Sequence, residues 1–293
     1  MAALLTRRGR SIVDIQLGGQ RIFALEERVG FDEVRQRAMD KRTTAFGGGI
    51  GGLLQRPKSD DVALLTTQRR VEPFWHVSCR AHYVYDRTRD YTVPASARDV
   101  KSVTLGDADF PITPSGKAGP SFVVPVLEHC REEFVDELFI EGVTGAAMTD
   151  GPSLIAGTRT EIDDPTALAA NDTVVVSPEQ RASSVVRQLL SKMLRPLQAD
   201  VVHEEALAIE ALELFYRPVW AFEFDWAGKG KRGVIEIDGL TGQARQTSSL
   251  GTQISRVITR DALFDIGADT VGLLVPGGSI AVKVARAAID RSY

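Results

Sequence analysis

The sequence is poor in cysteine and lacks a long, uninterrupted hydrophobic run. Its 293 residues include two cysteines, Cys79 and Cys130, whereas small secreted domains that depend on disulfide bonds carry more. The apolar run at the start is too short for a signal peptide, and its arginines follow the run instead of preceding it. The longest apolar stretch, 271–289, is broken by Pro276 and by two basic residues, so it does not predict a membrane span. We therefore expect a soluble, cytoplasmic protein.

The chain also lacks a strong excess of charge of one sign. Its formal net charge is −4, which gives no global electrostatic reason to bind nucleic acid or an anionic membrane. Hydrophobic residues make up 43% and charged residues 25% of the chain, as in ordinary folded proteins. Because single domains usually hold about 100–200 residues, this length favours two domains.

A recognisable catalytic motif is missing as well. No Gly-x-Ser-x-Gly elbow occurs, and His203-Glu204-Glu205 departs from the zinc-protease pattern H-E-x-x-H. The glycines of 47–52 fit G-x-G-x-x-G, but a predicted helix precedes them and Pro57 follows. We therefore interpret them as a linker and not as a phosphate-binding loop between a strand and a helix. The sequence favours a non-catalytic protein over an enzyme.

Five residues form the one cluster of soft metal ligands in the sequence: His76, Cys79, His82, His129 and Cys130. Within a strand, His76 and His82 would share a face but lie roughly 20 Å apart at about 3.3 Å per residue, and Cys79 would point to the other face. The cluster therefore predicts packed cysteines and solvent-facing histidines rather than a zinc site. We expect neither a metal nor a cofactor.

The clearest signal that is present is the alternation of apolar and polar residues over 74–85. A period of two over this length predicts a half-buried antiparallel strand. Charged residues over 86–90 predict a turn, from which a return strand begins at Tyr91. On the apolar face lie Trp75, Val77, Cys79, Ala81, Tyr83 and Tyr85, and on the polar face lie His76, Ser78, Arg80, His82 and Asp86.

Helical periodicity is strongest after Ser177. A serine N-cap, a proline at the first helical position and an apolar stripe at i, i+3, i+4 and i+7 predict a helix over 178–195. Weaker patterns predict a hairpin over 11–25 with a Gly18-Gly19 turn, a surface helix over 31–42, and two C-terminal helices within 259–293, the last from Ser279 to about Arg291.

Two windows of the sequence share one pattern. Around Pro73 and around Pro218, each window reads an apolar residue, a charged residue, proline, an apolar residue and then a tryptophan, Trp75 or Trp220. Each tryptophan opens an alternating apolar face that a charged turn follows. We interpret the pair as an internal duplication, with chance similarity as the alternative. Further on, 234–242 resembles the repeating unit of PepSY-type domains over fewer than ten residues, because a strand ends in Asp before a Thr-Gly turn.

Together these elements predict an α+β fold with two related antiparallel β-sheet units, each packed by helices. We expect an N-terminal hairpin, helix and glycine-rich linker over 1–56 and a first β-unit with Trp75 over 57–172. A helix, the second β-unit with Trp220 and the C-terminal helices would occupy 173–293.

The function that this architecture favours is protein binding. The lack of a catalytic site, and aromatic strands that could pair edge to edge, indicate an intracellular adaptor or assembly protein that contacts other proteins or itself. The candidate binding residues lie on the outer faces of the tryptophan strands and at a basic hairpin tip: Arg80, His82, Glu223, Asp225, Lys229, Lys231 and Arg232.

Two alternatives stay open. An enzyme or small-molecule-binding protein would need a pocket between the two β-units that holds residues such as Arg80, His82, Glu223 and Asp225. A peripheral membrane protein would use the predicted helices within 259–293. Nucleic acid and membrane are not the partners that we expect.

Overall fold

A computed structural model describes residues 12–46, 57–97, 99–115, 119–245, 260–265 and 281–286. More than half of the structure is β-strand. The strands are β1 (Ile12–Leu17), β2 (Gln20–Leu25), β3 (Val62–Pro94), β4 (Ser102–Leu105), β5 (Ala108–Pro111), β6 (Thr113–Ser115), β7 (Gly119–Glu141), β8 (Arg159–Ile162), β9 (Val174–Val175), β10 (Val201–Trp226), β11 (Lys231–Asp238), β12 (Ala244–Arg245) and β13 (Ala281–Arg286). The α-helices are α1 (Phe31–Lys41), α2 (Gly151–Ile155), α3 (Ala182–Met193) and α4 (Arg260–Leu263).

Most strands belong to one mixed sheet. Its central path runs β12-β11-β10-β3-β7-β6, while β4 and β5 form a separate hairpin. β1 and β2 both pair in parallel with β10, β13 joins β1, β8 joins β2, and β9 lies parallel to β3. The predicted α+β class with two helix-packed sheet units is therefore wrong. Among the described residues, one eleven-stranded sheet dominates, and only α1 and α3 are longer than five residues.

The two tryptophan strands are direct neighbours in this sheet. β3 has 33 residues and β10 has 26, and they pair antiparallel along β3 from Val62 to Asp86. At the centre of this ladder Glu72 lies opposite Arg217, and a proline follows each of them. The two similar windows therefore face each other around a local two-fold axis within one sheet.

β7 and β11, the outer neighbours of β3 and β10, each end in a turn whose glycine contacts one of the two central prolines. After β7, Gly142 donates its N–H to the carbonyl of Pro73 at 2.9 Å, and after β11, Gly239 donates to the carbonyl of Pro218 at 2.9 Å. A Cβ atom at these glycines would lie 2.7 Å and 3.0 Å from the same carbonyl oxygens. The close approach of the turn to the central strand therefore excludes a Cβ atom at Gly142 unless the backbone shifts, and it favours glycine at Gly239.

Helices cover the first face of the sheet, which carries Trp75. The apolar stripe of α3 packs on this face, and Trp75 donates its indole N–H to the carbonyl of Gln180 at 2.8 Å. Phe264, just after α4, packs edge-on against Trp75 with ring centroids 5.4 Å apart. Near Trp220, α1 covers the same face. The core on this side thus lies between the long strands and the helices.

The second face, which carries Phe74 and Phe215, holds a smaller apolar cluster. The rings of Phe23, Phe215 and Phe74 stack in a row, with successive centroids 5.1 Å and 5.2 Å apart, and α2 covers them. Because both faces are covered here, every residue of 71–77 and of 212–219 is buried. Continuous burial of this kind marks a strand that is packed on both sides.

The N-terminal hairpin predicted over 11–25 is wrong. β1 and β2 each pair with β10 and not with one another. Gly18, which lies between them, donates its N–H to the carbonyl of Ile209 at 2.8 Å, and a Cβ atom there would lie 2.5 Å from that oxygen. Glycine is present because two backbones approach closely, not because a hairpin turns.

Two further predictions of local structure are wrong. The turn predicted at 86–90 does not form, because β3 continues through it to Pro94. The last predicted helix is a strand over Ala281–Arg286, where β13 pairs in parallel with β1. In both cases a pairing with a distant strand sets the conformation, and such pairings override weak local preferences.

Two predicted helices are confirmed. The surface helix over 31–42 is α1, and the helix over 178–195 is α3, which begins four residues later than predicted. Ser183, in the first turn of α3, donates its N–H to the carboxylate of Asp265 at 3.1 Å. A carboxylate from the segment after α4 therefore caps the first turn of α3.

The predicted division into 1–56, 57–172 and 173–293 stays a prediction. The glycine-rich linker predicted at 47–52 lies outside the described residues.

Candidate functional site

A two-stranded arm projects from the sheet. β10 stops pairing with β3 at Asp86, whereas β7 stays paired with β3 as far as Pro94. The extra length of eight residue pairs spans roughly 26 Å at about 3.3 Å per residue. β6 and the β4–β5 hairpin lie at the end of this ribbon. We call residues 87–128 the arm.

Apolar side chains are exposed on both faces of the arm. Residues 88–94 are all exposed, and alternate residues of paired strands point to opposite faces. By register, Tyr91 and Val93 lie on one face, and Val123 and Leu127 lie on the other. The exposed large apolar residues of the arm and its base are Tyr91, Val93, Leu105, Val123, Leu127, Val201 and Val202. A concentration of this kind is typical of an interaction site.

The outer edge of β7 is open over most of its length. β6 pairs with β7 only as far as Ser121, and near the other end Ile140 forms a bridge with Ala147. Between these points, over 122–138, no described strand pairs with the outer edge. An open edge offers N–H and C=O groups with which another strand can pair, and Pro125 restricts the registers available.

An aspartate and two histidines fix the base of the arm. His129 Nδ1 and His203 Nε2 each lie 2.7 Å from a carboxylate oxygen of Asp86. His203 occupies a β-bulge of β10 between Val202 and Glu204, and a bulge redirects the side chain that it carries. The hydrogen bonds from His203 and His129 hold the pKa of Asp86 below its ordinary value. These side chains join β7, β3 and β10 where β10 begins.

Polar contacts also position the first part of the arm. Glu128 accepts hydrogen bonds from the hydroxyl of Tyr91 and from Arg87. These contacts lower the pKa of Glu128, and the bond to Glu128 raises the pKa of Tyr91. Thr88 donates its N–H to the carboxylate of Asp200 at 2.6 Å. The exposed apolar side chains are therefore carried on a positioned surface.

The structure divides the predicted binding residues into two groups. Arg80 and His82 lie in the middle of β3. Arg80 pairs with Glu210 at 2.7 Å and with Glu133 at 3.1 Å, and His82 lies 3.6 Å from Glu204. In this first group, Arg80 forms cross-strand ion pairs and His82 lies beside a carboxylate of the neighbouring strand.

The second group lies near the end of β10. Glu223 pairs in register with Thr66 of β3, so it is roughly 46 Å from Arg80 along the strand at about 3.3 Å per residue. Arg232 Nη1 lies 3.5 Å from Glu223. Asp225 lies opposite Arg232, and the nearby turn carries the exposed Lys229 and Lys231. A binding role for either group stays a prediction.

His76 is buried, contrary to the prediction of a solvent-facing side chain. Its Nδ1 lies 3.0 Å from Glu213 and its Nε2 lies 3.2 Å from Glu137, while its ring stacks on Phe139 at 4.5 Å. Burial alone would raise the pKa of Glu213, but the bond to His76 and the charge of Arg21 lower it overall. Sequence reasoning missed this pair because its two residues are 137 positions apart.

A network of charged side chains crosses the centre of the second face. Three cations and three anions balance each other. Its members are Arg70, Glu72, Arg217, Glu236, Asp238 and Arg245. Burial lowers the pKa of Arg217 and raises that of Glu236. Such a network stabilises only when its charges stay paired.

Arg217 is the least satisfied member of this network. Its guanidinium lies 3.7 Å from Glu72 and 3.8 Å from Asp238, which is beyond hydrogen-bond distance. Among the described residues, Arg217 Nε and Glu72 Oε1 have no hydrogen-bond partner. Arg217 therefore contacts Glu72 and Asp238 by charge alone, whereas Arg70 and Arg245 donate hydrogen bonds to Glu236 and Glu72.

A cleft of about 710 Å³ lies beside the first part of β3. It is lined by Thr66, Thr67, Gln68, Arg69, Arg70, Asn171, Asp172, Trp220, Ala221, Glu223 and Val234. Of the four residues expected in a pocket between the tryptophan strands, Glu223 alone lines this cleft. Arg80 and His82 lie too far along β3, and Asp225 is not part of the lining.

The part of the chain that the structure describes offers few signs of other chemistry. Among the described residues, no helix is long and apolar enough to cross a membrane, and no group of three or more His, Cys, Asp and Glu residues could hold a metal ion. Both cysteines are free, and burial raises the pKa of Cys79 to about 12, which makes this thiol unreactive. The chain matches no protein-family model, no curated protein and no solved structure.

Proposed function

We propose that this protein is a non-catalytic intracellular binding or assembly protein of the adaptor type, which makes protein–protein contacts through its arm. The observation that carries this proposal is the exposed apolar surface on both faces of the arm, with Tyr91 on one face and Leu127 on the other. In the centre of the same sheet, helices and short strands cover both faces. A bound partner would bury the apolar side chains of the arm, as helices and short strands of the chain itself bury those at the centre of the sheet.

The arm offers two kinds of interaction. Full burial of a large apolar side chain is worth about 1.5–3 kcal/mol, so burying the exposed halves of Tyr91, Val93, Val123 and Leu127 would contribute about 4 kcal/mol in all. The loss of translational and rotational freedom on association costs at least as much. The open edge of β7 must therefore add backbone hydrogen bonds, as in complexes formed by strand addition.

The compartment in this proposal is the cytoplasm. Both cysteines are free, and thiols persist where the surroundings are reducing.

An arm variant and a matched control test the proposal. Leu127→Lys places a charge on the arm, and Leu65→Lys places the same charge on a similarly exposed leucine outside it, since the two are 53% and 47% exposed. Each tagged protein is purified at native level, and its partners are quantified by mass spectrometry. We expect a stoichiometric partner, or a second copy, with the wild type and Leu65→Lys, and about tenfold less of it with Leu127→Lys.

Two results would overturn this function. One is equal recovery of the partner with both lysine variants. The other is recovery of the bare protein with a bound metabolite, which would favour the alternative of a small-molecule site. The membrane alternative stays a prediction for 259–293, of which the structure describes 260–265 and 281–286.

A further inference from the structure

The cleft of about 710 Å³ lies over three neighbouring strands, β3, β10 and β11. Thr66, Gln68 and Arg70 are spaced two residues apart along β3, so their side chains share the second face of the sheet with Phe74. Ala221 of β10 lies opposite Gln68 on the same face. Strands about 4.8 Å apart and side chains about 6.6 Å apart along each strand give this floor dimensions of roughly 10 Å by 13 Å.

Ala221 forms the bottom of the cleft because longer side chains surround it. It lies between Gln68 of β3 and Glu236 of β11, and Glu223 follows it on the same face of β10. Val234 lies opposite Glu223. The cleft thus combines a small apolar floor with polar side chains around it, and its volume falls within the range of small-molecule sites, about 300–1,000 Å³.

The polar groups of the cleft include both donors and acceptors of hydrogen bonds. Arg70 Nε donates to Gln68 Oε1 at 2.9 Å, which orients the amide and leaves its NH₂ group to donate to a ligand. The hydroxyl of Thr66 can donate and accept, and the carboxylate of Glu223 accepts. Asn171, in the segment before β9, adds a second amide. Hydroxyl groups of a ligand match this mixture, because each of them is both a donor and an acceptor.

Neighbouring side chains neutralise most charges of the cleft. Arg70 Nη1 lies 3.2 Å from Glu236, and Arg232 Nη1 lies 3.5 Å from Glu223. Because Glu236 is buried, an anion that drew Arg70 away would leave a buried carboxylate unpaired, which is costly. Asp172, at the rim, is exposed to solvent, and salt screens such a charge. A charged ligand is therefore a poor match, whereas a neutral ligand leaves both ion pairs intact.

We infer that this cleft binds a neutral, hydroxyl-rich small molecule of the saccharide class, with the dimensions of a disaccharide. The C–H face of a sugar ring would lie on Ala221 and Val234, and its hydroxyl groups would meet Thr66, Gln68 and Glu223. The cleft and the arm lie at opposite ends of β3, so a saccharide and a protein partner can be bound at the same time. The inference goes beyond the proposed function and does not depend on it.

A glycan array and calorimetry provide the first test. The full-length protein is applied to an array of oligosaccharides, and the Kd values of maltose, cellobiose, lactose, sucrose and trehalose are measured by isothermal titration calorimetry. Thr66→Trp fills the cleft with an indole, and Thr160→Trp places one at an exposed position of β8 as the control. We expect a saccharide to bind the wild type, loss of this binding with Thr66→Trp, and unchanged binding with Thr160→Trp and with Leu127→Lys.

Salt and charged probes identify the class of ligand. The affinity for the saccharide should not change as the NaCl concentration is raised, and spermidine and citrate should bind the wild type no more tightly than Thr66→Trp. Gln68→Ala should weaken saccharide binding about fivefold, because one neutral hydrogen bond is lost, whereas Gln36→Ala, at an exposed position of α1, should not. The inference is overturned if no saccharide of the array or the panel binds, if the bound saccharide binds Thr66→Trp as tightly, or if a charged probe binds in preference.

Discussion

The centre of the sheet and the arm are formed by the same strand, but they differ in what covers them. Residues 71–77 of β3 are all buried, whereas 88–94 are all exposed. From Phe74 to Pro94, β3 pairs with β7 in one unbroken register, so strand pairing does not account for the difference. Helices and short strands cover the centre, and no described element covers the arm in the same way. Pairing with β7 determines the path of β3. Burial by elements packed on the sheet determines which of its residues stabilise the fold.

The largest expected difference is between core and arm truncations. Phe215→Ala should lower the free energy of unfolding by about 3–5 kcal/mol, because it leaves a cavity between Phe23 and Phe74. Leu127→Ala should change it by less than about 0.5 kcal/mol. Urea unfolding followed by circular dichroism measures both. Similar losses would contradict the view that the arm does not stabilise the fold.

The buried charge network should give the next largest effect. Arg217→Met leaves an excess of buried negative charge and should cost about 3 kcal/mol of unfolding free energy. The double variant Glu72→Gln/Arg217→Met should lose less than the sum of the two single variants, because the two residues share one network. Urea unfolding of all four proteins gives the coupling energy, and simple additivity would show that the pair does not interact.

Substitution of Gly18 tests why glycine lies between β1 and β2. The structure indicates a close approach of two backbones and not a hairpin turn. Gly18→Ala brings Cβ to 2.5 Å from the Ile209 oxygen, whereas a Cβ at Gly19 meets nothing within 4 Å. We expect a loss of about 1–3 kcal/mol for Gly18→Ala, and less than about 1 kcal/mol for Gly19→Ala. Thermal unfolding compares the two, and equal melting temperatures would contradict this explanation.

The smallest effect should appear at the base of the arm and depend on pH. The pKa of Asp86 is lowered in the folded protein, so its carboxylate adds stability above its ordinary value of about 4 and loses this contribution as pH falls through the lower folded value. Asp86→Asn should therefore lower Tm near neutral pH, and its difference from the wild type should disappear in strong acid. Asp90→Asn, further along the arm, is the control, and an equal pH-dependent difference for it would argue against the histidine cluster.

Local signals in the sequence predicted part of this fold. The alternation after Trp75 and the apolar stripe of α3 are patterns within one element, and the structure confirms both elements. The length of β3 was not predictable in this way, because the charged residues at 86–90 resemble a turn and only pairing with β7 keeps them extended. The glycines at 18–19 likewise fit a hairpin and a close strand crossing equally well.

The candidate site was harder to predict than the strands. Tyr91 and Leu127 are of residue types that are usually buried when they occur in strands. They are exposed because no described element packs over them. His76 reads as an outward-facing residue of an alternating strand, yet Glu213 on the neighbouring strand and Phe139 enclose it. Exposure depends on contacts between distant parts of the chain, and a single sequence does not record them.

The continuity of β3 has a mechanical consequence. A partner that pulls on the arm along its length would apply the force to the same strand that pairs with β10 from Val62 to Asp86. The hydrogen bonds of that ladder would bear the force together, in shear, instead of breaking one after another. The arm would then act as a rigid extension of the sheet, and tension at its tip would reach the core without an intervening hinge.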